Sequence, residues 1–200
     1  MLATPTRRYR SRPRDPNSWH SQADHPEDRA ARAALGAELR QLRQDLGLTR
    51  EQVSARYAQR GFDPIESRSL YATEKATSWQ IRTIQTLARM YDRCLDIEIT
   101  GLAVPDDGDP LAALYATMRP TAAAAADELA REILINDLTR IRRSLNLTQL
   151  DVGDAFGISR NAICAWESCA PGVTFRTTQR ITRYYGGRLA FHLRDAAPAR

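Results

Sequence analysis

Two stretches of the chain carry apolar residues in steps of three and four: Leu35, Leu39, Leu42 and Leu46, then Leu134, Leu138, Ile141 and Leu145. That period predicts an amphipathic helix in each. Gly47 and Asn146 follow, residue types that accept the left-handed conformation at a helix C-terminus. Thr49 and Thr148 then read as N-caps, with Gln52 and Asp151 three residues on and able to reach back. A short second helix follows in each stretch. In the later one Gly157 stops it and Ser159 caps a third helix. In the earlier one Asp63-Pro64-Ile65-Glu66 predicts a third helix starting a turn early, with Asp as cap, Pro at the first helical position and Glu at the third. Pro26 to Ala34 (PEDRAARAA) extends the first helix backward, and Thr121 onward (TAAAAADELAREIL) does the same for its later equivalent. Between them Asp109-Pro110 opens a separate helix through LAALYATM, which Pro120 ends. Each stretch finally changes period. LDIEI (Leu95 to Ile99) and LAFHL (Leu189 to Leu193) alternate strictly, a strand pattern.

The same elements in the same order point to an internal repeat. LRQLRQDLGLTREQVSARY (Leu39 to Tyr57) aligns with LTRIRRSLNLTQLDVGDAF (Leu138 to Phe156) at a constant spacing of 99 residues. After a slip, because AQRGFDP is longer than the lone Gly157, IESRSLYATE (Ile65 to Glu74) aligns with ISRNAICAWE (Ile158 to Glu167). TIQTLARMYDRCLDIEI (Thr83 to Ile99) then aligns with TTQRITRYYGGRLAFHL (Thr177 to Leu193) at a spacing of 94. The organisation that follows is an arm over residues 1–23, a module over 24–104, a linker with a short helix over 105–120, a second module over 121–195 and a tail over 196–200. A lone strand leaves its backbone groups unpaired. The economical arrangement pairs the two strands antiparallel and relates the modules by a pseudo-two-fold axis. The other arrangement pairs each strand with a second chain.

Composition narrows the function classes. The chain has 200 residues, 42% of them hydrophobic, enough for one ordinary domain or two small ones. It shows neither a membrane-length apolar run nor the apolar core of a signal peptide, so the expectation is a cytoplasmic, nucleoid-associated protein without membrane contact. Cys94, Cys164 and Cys169 form no CxxC, and His20, His25 and His192 are scattered, so no zinc-ligand spacing appears. Net charge is +5 and unevenly placed. Arg7, Arg8, Arg10, Arg12 and Arg14 stand against Asp15 alone in the arm, which leaves the body near neutral. Such an arm suits a minor groove or phosphates, or is a solubilising tail.

The segment LTQLDVGDAFGISRNAICAWES (Leu147 to Ser168) carries a Thr-Gln start, a Gly at the turn, a Ser cap and a Trp-Glu close. On these residues both modules resemble the lambda-repressor-like (Cro/repressor-type) helix-turn-helix family, over Leu35 to Ile99 and Leu138 to Leu193. The first module departs from the pattern, with Arg50 where Gln is usual and a longer turn. The resemblance implies a mainly α fold of two tandem modules, sequence-specific binding of double-stranded DNA through each third helix, and neither catalysis nor a cofactor. It also implies salt bridges of Arg43 with Glu74 and of Arg142 with Glu167, between first and third helices.

A helix fits the major groove and reads it with the side chains of its first two turns. In the second module these are Arg160, Asn161, Cys164 and Ala165, with Ile163 and Trp166 turned inward. Arginine bonds guanine bidentately, asparagine bonds adenine, and Ala165 suits a thymine methyl. Ser159 reads as a structural cap, for which the resemblance also implies a phosphate contact, and Gln149 reads as a phosphate contact. The matching residues of the first module are Ser67, Arg68, Tyr71 and Ala72, with Arg68 the chief reader; the alternative is that this module reads no bases and only positions or dimerises. Glu66 there suits cytosine but repels phosphate, and Arg50 replaces the Gln149 contact with a full charge. Tyr91, Tyr184 and Tyr185 read as core or rim aromatics and Trp79 as packing at the start of the fourth helix. His192 reads as a cross-strand partner. The function expected is a transcriptional regulator, a repressor by family analogy, that reads two non-identical half-sites. The alternative is an antitoxin-like or partner-binding regulator in which one module, the linker helix or the arm holds another protein, or the chain forms a homodimer. An enzyme is not expected, because no catalytic set occurs at workable spacing.

Overall fold

A computed structural model describes residues 24–62, 65–75, 80–105, 110–118, 123–168 and 173–195. Their elements are α1 (Pro26–Asp45), α2 (Arg50–Gln59), α3 (Ser67–Glu74), α4 (Ile81–Met90), β1 (Arg93–Thr100), α5 (Pro110–Met118), α6 (Ala123–Ser144), α7 (Gln149–Phe156), α8 (Arg160–Glu167), α9 (Phe175–Tyr184) and β2 (Arg188–Asp195). The protein is mainly helical, with one small antiparallel sheet. Among the described residues no helix is long and apolar enough to cross a membrane. The arm arginines, Asp63, Pro64, Trp79, Asp109, Pro120, Thr121 and Cys169 lie outside the described residues.

Local chemistry sets the helix ends. Gly47 and Asn146 both take positive φ, at 65° and 56°. Each lets the next N–H turn back, Leu48 to Arg43 O at 3.0 Å and Leu147 to Arg142 O at 3.1 Å. Thr49 and Thr148 form complete capping boxes with Gln52 and Asp151. Gly157 ends α7 at φ 65°, and the Ser159 hydroxyl accepts from Ala162 N at 3.2 Å. The longer turn after α2 has a glycine of its own. Gly61 takes φ 80°, and Phe62 N–H closes on Tyr57 O at 3.0 Å.

Two expectations are corrected. First, α3 starts at Ser67, not a turn earlier. Ile65 and Glu66 are not helical, and Glu66 is an extended N-cap. Ile65 packs on the core as Ile158 does, and an extended approach delivers both side chains there. Second, the apolar stripes of α1 and α6 end one turn short. Leu35, Leu39, Leu134 and Leu138 are buried, but Leu46 and Leu145 are 45% and 44% exposed. At that end Arg43 and Arg142 take the inward positions.

β1 and β2 pair antiparallel from Arg93 opposite Asp195 to Thr100 opposite Arg188. Ile97 stands opposite Phe191, with Leu95 opposite Leu193 and Ile99 opposite Leu189. A separate antiparallel bridge joins Gln80 to Thr174, just before α4 and α9. One continuous core runs from Leu39, Leu70, Ile84 and Leu87 through Ile135, Leu138, Ile163 and Ile181. α6 packs on β1 and α1 on β2, so each long helix lies against the strand of the other half.

Candidate nucleic-acid interface

α8 has one face in the core and one in solvent. Ile163 is 0% exposed and Trp166 7%, while Arg160, Asn161, Cys164 and Ala165 are all exposed. Helical spacing produces this division, and Gly157 with Ser159 fixes where the helix begins. α7 crosses immediately before it, packed close at Gly153. A Cβ there would lie 2.8 Å from the Ile158 carbonyl oxygen, so only glycine permits this approach. The outer face of α8 has small side chains (Ala162, Cys164, Ala165) around one guanidinium and one amide. A slim helix face with one guanidinium and one amide is the kind of surface that direct readout of a major groove requires.

The outer face of α3 is built differently. Arg68 is exposed. Tyr71 is also exposed, with the Arg50 guanidinium 5.1 Å and the Lys75 ammonium 5.7 Å from its ring centre. Ser67 is half-buried and donates its hydroxyl to Glu51 Oε1 at 2.7 Å. That hydrogen bond, aided by the N-terminus of α2, holds the Glu51 carboxyl below the usual range. Ala72 is half-buried. Glu51 and Glu66 put two carboxylates on this surface where α7 and α8 have Leu150 and Ser159.

A buried ion pair braces each of these helices. Arg43 Nε donates to Glu74 Oε1 at 2.6 Å, and Arg142 Nε to Glu167 Oε1 at 2.5 Å. Each guanidinium also donates to a turn carbonyl, Leu48 O at 2.7 Å and Leu147 O at 2.5 Å. The bridges implied by the resemblance therefore exist, and each ties the first helix, the turn and the third helix at one point. The same carboxylates capture the two residues assigned to phosphate. Arg50 donates Nη2 to Glu74 Oε2 at 2.6 Å, and Gln149 donates Nε2 to Glu167 Oε2 at 2.7 Å. Both side chains are thus committed to the fold at these atoms, a competition the linear sequence does not display. Burial works against the ionised form of Glu74, but the hydrogen bonds from Arg43 and Arg50 outweigh it and hold the carboxyl below the usual range. Tyr91 and Tyr185 are buried beside these pairs, and burial pushes both phenols up. Tyr184 is exposed at the rim, edge-on to Phe156.

Two polar clusters have no local signature in the sequence. Gln85 Nε2 donates to Asp127 O at 3.0 Å, Arg89 Nε to Asp127 Oδ2 at 2.5 Å, and Arg131 Nη1 to Gln85 Oε1 at 2.5 Å. On the other side Gln179 Nε2 donates to Asp28 O at 3.1 Å, Arg183 Nε to Asp28 Oδ2 at 3.0 Å, and Arg32 to Gln179 Oε1. Asp28 and Asp127, and Arg32 and Arg131, are 99 residues apart. Gln85 and Gln179, and Arg89 and Arg183, are 94 apart. The spacing of the repeat was the signal that could have found them.

A cavity of about 410 Å³ lies among β1, α6 and α5, floored by Leu95, Ile97 and Leu134 and faced by Tyr115. Part of its rim is internally paired, Arg194 with Asp96 at 2.7 Å, while His192 stands 3.8 Å from Glu98. No cluster of metal-ligating side chains occurs among the described residues. No family model, curated protein or solved structure matches this chain.

Proposed function

We propose that the protein is a sequence-specific double-stranded DNA-binding regulator, a repressor by family analogy, built as two tandem lambda-repressor-like helix-turn-helix modules in one chain. The observation that carries this reading is α8. It is a capped helix with a buried apolar face and an outer face of Arg160, Asn161, Cys164 and Ala165, set against α7 across a glycine turn. α3 stands in the corresponding place of the first module, with Arg68 as its exposed reader.

Three observations support a pseudo-dimer. Ile97 and Phe191 are equivalent by the repeat and face each other in the sheet. Gln80 and Thr174 are also equivalent and bridge each other. The two polar clusters exchange the same partners reciprocally. A self-facing pair and reciprocal contacts are the marks of a two-fold interface. In this reading two probe helices meet half-sites about 34 Å apart, and because they differ, the operator is an imperfect palindrome. The arm arginines add phosphate or minor-groove contacts.

Selection of bound duplexes from a random library tests this, repeated with Arg160→Ala and Arg68→Ala. Each substitution relaxes preference at its own half-site by about 1–3 kcal/mol. Equal, salt-controlled retention of all sequences by the wild-type chain overturns the reading.

One observation favours a second role, as a partner-binding or antitoxin-like regulator. α5 is uncharged and apolar, yet none of its residues is buried and Leu114 is 47% exposed. Stoichiometric co-purification with the product of an adjacent gene, lost in Leu114→Asp, is its test.

A further inference from the structure

The two polar clusters differ in their carboxylates: Asp24 and Glu27 of one correspond, at the spacing of 99, to Ala123 and Ala126 of the other, and Asp24 is the one that bridges two arginines. On one side the Asp24 carboxylate bridges two arginines, accepting from Arg176 Nε at 2.5 Å and from Arg32. It is largely enclosed, with its side chain 17% exposed. Burial opposes its charge, but Arg176 and Arg32 prevail and hold the carboxyl below its usual range. By the spacings of 94 and 99, the counterparts of Arg176 and Arg32 are Arg82 and Arg131, and the counterpart of Asp24 is Ala123. Alanine has no carboxylate to offer. A cavity of about 60 Å³ lies beside Arg82 and Arg131, walled also by Arg89, Ala124, Asp127 and Glu128.

The wall has cationic capacity to spare. Among the described residues the Arg82 guanidinium has no hydrogen-bond or ion-pair partner. Arg131 spends Nη1 on Gln85, while its Nη2 faces Glu128 at 3.8 Å, beyond hydrogen-bond reach. Asp127 is engaged by Arg89. Three guanidiniums thus oppose two carboxylates around a space suited to one small oxyanion. The first turn of α6, at Ala124, adds the positive end of a 22-residue helix. The counterpart site accepts a carboxylate even though Asp28 and Glu27 lie near it on Arg183.

We propose that this cavity binds a small free oxyanion, a carboxylate or phosphate group. The anion does for Arg82 and Arg131 what Asp24 does for Arg176 and Arg32, tying α4 to α6 and so one half of the chain to the other. The inference rests on the repeat and not on DNA reading, so failure of either leaves the other standing.

The test is thermal unfolding of the full chain, without DNA, in inorganic phosphate against sodium chloride of equal ionic strength. At ten times its Kd a ligand multiplies the folding constant about eleven-fold, about 1.4 kcal/mol, which shifts Tm by about 3–6 °C in a chain of this size. Ala123→Asp supplies the carboxylate internally; it raises Tm in chloride and removes the phosphate-specific shift. Asp24→Ala lowers Tm in chloride and raises the phosphate stoichiometry by calorimetry from one to two. Arg82→Gln keeps Tm in chloride and weakens phosphate binding about tenfold or more. Equal Tm in phosphate and chloride for the wild-type chain overturns the proposal. So does a phosphate response left intact by Ala123→Asp or by Arg82→Gln.

Discussion

Glu167→Ala tests whether the brace beneath α8 has the energetic weight its geometry assigns. The carboxylate accepts from Arg142 Nε at 2.5 Å, Arg142 Nη2 at 3.1 Å and Gln149 Nε2 at 2.7 Å. Arg142 and Glu167 side chains are only 8% and 7% exposed, so water cannot replace the lost partner. Coulomb attraction at about 4 Å and an effective dielectric constant near 20 is about 4 kcal/mol. Removing one member of a buried pair costs about 3–5 kcal/mol, chiefly because a charge is left buried alone. A chain of this size loses about 2–4 °C per kcal/mol, so Tm falls by about 6–20 °C. The assay is a thermal melt of the full chain followed by circular dichroism. Arg142→Met combined with Glu167→Leu recovers much of the loss, because no lone charge remains. Recovery is incomplete, since Leu147 O and Gln149 lose the partners they had. Glu98→Gln, at an exposed pair, is the control and shifts stability by less than about 0.5 kcal/mol. A fall of under about 2 °C for Glu167→Ala, or a double variant worse than the single, refutes the reasoning.

Other outcomes follow from the same structure. Gly153→Ala brings its Cβ to 2.8 Å from Ile158 O, so it costs about 1–3 kcal/mol in denaturant unfolding and disturbs the seat of α8. Gln85→Ala and Gln179→Ala each remove two hydrogen bonds between helices, one from an arginine and one to a helix carbonyl. A loss of about 1–3 kcal/mol is expected for each, and a loss in one alone counts against the pseudo-two-fold axis. Glu74 and Asp24 have depressed folded-state values, so their stabilisation is complete above the unfolded values of 4.5 and 3.8 and disappears as pH falls through the lower folded ones. Stability measured by urea titration therefore declines in that acid window, and Glu74→Gln flattens the slope. Thr148→Ala and Ser159→Ala each lose a cap worth about 1 kcal/mol, and an unchanged urea midpoint argues against the capping assignment.

Short-range chemistry was the most legible part of the sequence. The capping boxes at Thr49 and Thr148, the left-handed Gly47, Asn146 and Gly157, and the inward Ile163 and Trp166 depend on neighbours within one or two turns. The start of α3 at Ser67 is not legible locally, because Asp63-Pro64 carries a start signal of its own. Burial of Ile65, a tertiary demand, overrides it. Nothing within a few residues of Arg50 and Gln149 reveals that Glu74 and Glu167 fold back to bond them. The clusters around Asp28 and Asp127 join residues some 40 to 155 positions apart, so periodicity is silent about them. Only extending the repeat beyond its apolar blocks brings those residues into register.

The residue at the centre of the sheet has an evolutionary corollary. In a symmetric pair of identical chains, a side chain on the axis must meet a copy of itself. Here Ile97 meets Phe191, and that ring also packs edge-on against Phe175, 4.8 Å between centroids, where the other half has Ile81. Ile97 and Phe191 differ in size and shape, so neither faces a copy of itself. In the proposed pseudo-dimer, one polypeptide lets such unequal fits accumulate, and each one makes the parts better suited to each other than to duplicates of themselves.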